Sequence, residues 1–120
     1  MNTTDTILGT TKEFIGIPSE DTSFDPELIT LIDMAISTLS QIGCGSKYTN
    51  IPIVTKDYTW REYFDHIEAT DSENIMLIPT YVHIKANVLF DKTLSGSYLD
   101  ALNKQIDQLE WRINDEFDKG

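Results

Sequence analysis

The chain has 120 residues, 40% of them hydrophobic and 24% charged. That composition suits one globular domain and excludes wholesale disorder. With 20 acidic residues against 9 basic, the net charge is −11, and no Lys/Arg cluster exists to displace counterions from nucleic acid. The acid is concentrated: Glu13 to Glu27 holds five acids and no base, and Asp57 to Glu73 six acids against Arg61. Such a surface keeps a protein soluble, repels DNA, or meets a basic partner. Cys44 is the only cysteine, so no intrachain disulfide is expected. Neither a signal peptide at Met1–Thr11 nor a membrane span is visible, and a cytoplasmic protein is expected.

Thr4 to Ile15 predicts a short helix carrying Ile7, Leu8, Phe14 and Ile15, stopped by Gly16 and Pro18. After a polar loop, Asp25-Pro26-Glu27 opens a second helix. Asp25 serves as the side-chain cap, Pro26 fits a first turn, and Glu27 suits the positive dipole end. Leu28, Ile29, Leu31, Ile32, Ala35, Ile36, Leu39 and Ile42 cover so wide a face that this helix is expected at the buried centre. Gly43 supplies a left-handed stop.

Gly43 to Tyr58 is irregular, an extended loop or a short hairpin, because Pro52 interrupts Ile51, Ile53 and Val54. It is expected to lie outside the core and to be mobile in a free monomer. Thr59-Trp60-Arg61-Glu62 has the spacing of a capping box, and the short helix behind it packs Trp60, Tyr63, Phe64 and Ile67 inward. Asp71 or Ser72 caps a further helix to about Phe90, which kinks at Pro79 or starts near it. Its apolar face is Tyr81, Val82, Ile84, Val88 and Leu89.

After a brief loop, Ser97 to Phe117 predicts one long amphipathic helix, about 30 Å at ~1.5 Å per residue. Leu99, Leu102, Ile106, Leu109 and Ile113 fall three, four, three and four apart on one stripe. Asp100/Lys104, Arg112/Glu116 and Asp115/Lys119 are placed to lace the far face with ion pairs. Trp111 and Phe117 lie partly off the stripe and widen it. The sum is an all-α fold: a single domain over 1–120, a bundle of about five helices, an irregular segment at about 43–58 and a long C-terminal helix at about 97–117.

Chemistry is not legible. His66 and His83 are the only histidines, and no HExxH or CxxC spacing gathers the three or four ligands that zinc needs. Both histidines are expected at a surface or interface. Cys44, between two glycines, has Lys47 nearby and no paired histidine. The glycines form no phosphate-binding pattern, and adjacent carboxylates such as Glu20/Asp21 and Asp115/Glu116 are expected in solvent. No catalytic, cofactor-binding or metal-binding residue is assigned, and the chain is not expected to be an enzyme. Trp111 and Phe117, together with Cys44 and Tyr48 in the irregular segment, are the candidate interface residues.

Two stretches carry a likeness to a known family. One is Phe14-Ile15-Gly16-Ile17-Pro18, then Thr22-Ser23-Phe24-Asp25, and the helix ending Gln41-Ile42-Gly43. The other is Leu89-Phe90-Asp91, then Tyr98-Leu99, and the run from Gln105 to Asn114. Trp60, opening a short aromatic helix between them, also fits. In these words the chain resembles the head-tail connectors of tailed bacteriophages, the head-completion adaptors beneath the portal. It departs at Lys92-Thr93, where such proteins often have proline after Leu-Phe-Asp. The resemblance implies an all-α virion protein, assembled in the host bacterial cytoplasm as a ring of many copies. It implies the portal protein and a tail-side completion protein as partners, passage of DNA through the ring, and no cofactor. A small acidic protein that mimics DNA, or a regulatory binding protein, is the alternative from another class.

Overall fold

The computed structural model describes residues 2–43, 52–67 and 76–118. Among them lie five α-helices and no strand: α1 (Ile7–Ile15), α2 (Asp25–Gln41), α3 (Trp60–His66), α4 (Leu77–Phe90) and α5 (Gly96–Asp118). The fold is all-α, as its apolar spacings predict.

Helix α1 starts later than expected because residues 3–6 are held by other partners. The backbone N–H groups of Trp60 and Arg61 donate to Asp5 O and Thr3 O, and Ile7 N–H donates to Tyr58 O at 2.9 Å. Thr6 is therefore left to cap the helix, its hydroxyl accepting from Gly9 N–H at 2.9 Å. Gly16, at φ 97°, ends α1, and Gly43, at φ 109°, follows the end of α2; both are the left-handed stops that the sequence predicts.

The expected cap of α2 is corrected. Phe24 occupies the cap position with no side-chain hydrogen bond, and Asp25 is already the first helical residue. Its carboxylate turns to the ammonium of Lys12, 3.0 Å away. Lys12 is 4% exposed, and its Nζ also donates to Ser19 O at 3.1 Å and Asp21 O at 2.7 Å. A charge taken out of water outbids a cap on an exposed helix end, because burying it unpaired costs far more.

The centre of the bundle is α4 rather than α2. Along α4 only Thr80 is exposed, whereas α2 buries one face: Leu28, Ile32, Ala35, Ile36 and Leu39. Helix α4 packs against α1, α2 and α5, and a helix surrounded on three sides must be apolar nearly all round. It starts at Leu77, so Pro79 falls in the first turn, where its missing N–H has no intrahelical partner to lose. The proposed caps Asp71 and Ser72 lie outside the described residues.

Helix α3 opens with the expected capping box: Glu62 N–H donates to Thr59 Oγ1 at 3.1 Å, and Thr59 N–H to Glu62 Oε1 at 3.2 Å. Trp60, Tyr63, Phe64 and Ile67 are all buried. The irregular segment is partly core, against expectation, since Val54 is 4% exposed and Tyr58 packs on the same cluster. No hairpin forms over 52–58; an isolated bridge between Thr6 and Thr59 is the pairing found there. Burial raises the pKa of the Asp33 carboxyl, and the backbone N–H of Val54 partly offsets that rise.

On α5, Leu102, Ile106, Leu109 and Ile113 are buried and Leu99 half-buried, so the stripe is core. Two polar contacts fix the helix. Tyr81 Oη donates to Glu110 Oε2 at 2.7 Å, and Asn114 Nδ2 donates at 2.6 Å to Ile42 O, a carbonyl left over at the exit of α2. The predicted Asp100/Lys104 ion pair is not among those the described residues make. Exposed helix pairs gain too little over water to hold two long side chains together.

Candidate functional site

His83 is not the surface histidine expected. Its ring stacks on Phe14, with centroids 5.4 Å apart, and meets the edge of Trp60 at 5.8 Å. Nε2 lies 3.0 Å from Thr10 Oγ1, which also accepts from Trp60 Nε1–H at 2.9 Å. Burial lowers the His83 pKa to about 4, so the ring is neutral at pH 7. It is a polar joint between α1, α3 and α4. Among the described residues no group of three or more His, Cys, Asp or Glu is placed to hold a metal ion.

The surface is where the molecule departs from an ordinary bundle. Trp111 is 69% exposed. It stands two residues from both Leu109 and Ile113, which at ~100° per residue sets it about 160° from each. It does not widen the buried stripe, as the sequence suggests, but stands on the opposite face of α5, among polar residues. Phe117 lies within α5 with its side chain outside the described ones, and Cys44 and Tyr48 also lie outside the described residues.

A second apolar feature was not foreseen. Ile15, Ile17, Phe24 and Phe90 line an open groove of about 560 Å³, with Glu27, Asp91, Lys92 and Thr93 on its walls. Phe24 meets Phe90 edge to face at 5.3 Å and stays 40% exposed. Two short turns adjoin the Phe24/Phe90 pair, and the second of them lines the groove. Asp21 Oδ1 accepts from Ser23 N–H and Oγ–H at 3.1 and 2.6 Å, just before Phe24. Asp91 Oδ1 accepts from Thr93 N–H and Oγ1–H at 2.9 and 2.6 Å, just after Phe90. These bonds lower the pKa of both carboxyls. The second turn lies at Lys92-Thr93, the point where the chain lacks the proline of the resembled family. Lys12 ties the first turn to α1 through Ser19 O and Asp21 O. The available signal was that lone base, placed just ahead of five acids with none among them.

A buried stripe, an outward tryptophan and an aromatic groove describe a docking protein without saying what it joins. The model of the phage connector proteins matches residues 7–120. The chain belongs to the phage connector family. No curated protein and no solved structure matches it. This connector is therefore a structural component of a phage particle, and the head-tail resemblance read from its helical words is borne out. Among the described residues, no helix of the connector is long and apolar enough to cross a membrane.

Proposed function

We propose that the chain acts as one domain and assembles as a ring of copies beneath the portal, joining head to tail. In this role it contacts the portal protein on one side and a tail-side completion protein on the other, after synthesis in the host bacterial cytoplasm. The observation that supports it is Trp111, 69% exposed on the solvated face of α5. A large aromatic in that place offers much area at small entropic cost and suits an interface anchor. The ring conducts the genome. A net charge of −11 suits a channel that passes DNA without holding it.

Imaging of the portal vertex in intact particles tests this directly. Repeated copies of a five-helix unit should lie between portal and tail, and heads made without the protein should carry no tail. Normal tailed particles made in its absence would refute the proposal.

A further inference from the structure

The groove and Trp111 lie at opposite ends of α5. The Asp91–Thr93 wall immediately precedes the helix, which runs from Gly96, and Trp111 comes fifteen residues later. At ~1.5 Å per residue that is about 22 Å. The Tyr81–Glu110 hydrogen bond agrees, since it sets Glu110 beside the early part of α4 while the groove lies at its last residue, Phe90. Trp111 therefore cannot reach the groove of its own chain.

We infer that Trp111 of one copy enters the Phe24/Phe90 groove of the next, a contact that rests on the assembly of copies proposed above. The groove is open and of about 560 Å³, and its aromatic wall offers edge and face partners to an indole. Charge matches as well. Exposed Arg112, next to Trp111, can meet Glu27 or Asp91 on the groove wall, and exposed Asp107 can meet Lys92, the one base among two acids there. Because the two patches differ, the contact is head-to-tail. Such a contact repeats from copy to copy and closes into a ring when its rotation permits, whereas Trp111 packed on Trp111 would stop at a dimer.

Sedimentation of the full chain from micromolar to millimolar concentration tests the contact. Wild type should form species larger than a monomer, and Trp111→Ala and Phe24→Asp should each weaken association at least tenfold while keeping wild-type helicity. An equal mixture of those two variants retains one intact knob and one intact groove, so it should give heterodimers and nothing larger. Arg112→Glu and Glu27→Arg alter only exposed charges; each alone should weaken association, and the two in one chain should restore it. Wild-type-like association of Trp111→Ala, or no heterodimer in the mixture, overturns the contact while leaving the ring intact as a proposal. A wild-type chain monomeric throughout also overturns it, and the portal-vertex images then judge the ring separately.

Discussion

Lys12 Nζ lies 3.0 Å from Asp25 Oδ1, with the two side chains only 6% and 18% exposed. That oxygen is buried and accepts no directed hydrogen bond, so the attraction of the ammonium is what offsets its desolvation. Through Ser19 O and Asp21 O the same ammonium ties the loop before α2 to α1.

Lys12→Met leaves a buried carboxylate and two carbonyls without their cation. It should cost roughly 3 kcal/mol, the usual scale for breaking one side of a buried pair. Asp25→Asn should cost less, since it removes the buried anion and keeps its shape. Urea denaturation of both variants and of the double variant measures the coupling. Additive losses would show that the pair does not act as a unit.

His83 gives the fold a pH dependence. Its pKa, held at about 4 by burial, is depressed from an ordinary 6.5. The unfolded chain therefore binds the proton first as pH falls. The contribution is whole above pH 6.5, is lost progressively towards pH 4, and amounts to about 3 kcal/mol when fully lost. Thermal melts between pH 7 and pH 4.5 should show a falling Tm, and His83→Gln should flatten the slope. An unchanged slope in that variant would assign the dependence to other groups.

Thr10 serves three neighbours with one hydroxyl, which also donates to Ile7 O at 3.1 Å. Thr10→Val keeps the shape but strips the acceptor from Trp60 Nε1–H and the partner from His83 Nε2. Leaving buried polar groups unmet should cost roughly 2 kcal/mol. Denaturation measures the loss, and a neutral result would mean that water replaces the hydroxyl.

The sequence revealed elements wherever a local rule governed them. The capping box at Thr59, the glycine stops and the α5 stripe are each set by residues within a turn or two of one another. It misled where a distant partner intervened. Asp25 has every mark of a cap until Lys12, thirteen positions earlier, claims its carboxylate. Residues 4–6 suit a helix until Tyr58, Trp60 and Arg61 take the backbone groups of Ile7, Asp5 and Thr3. The outward direction of Trp111 was legible by counting two residues from either stripe neighbour. The groove was not, because its walls come from the end of α1, the start of α2 and the end of α4, and no periodicity links them.

Ile106 and Trp111 share a helix and face opposite ways, which separates folding from docking. Ile106 is 5% exposed at the middle of the stripe. Ile106→Asp buries an unpaired charge there and should unfold the chain, by circular dichroism. A folded Ile106→Asp protein would mean that α5 can leave the bundle without cost.

Trp111→Ala tests the central claim, that the outer face of α5 exists for assembly. The measurement is incorporation of the variant into particles, read beside its melting temperature. The variant should melt within about 0.5 kcal/mol of wild type, as exposed substitutions do, and be missing from the particles. Normal incorporation, or absence explained by unfolding, would contradict the claim.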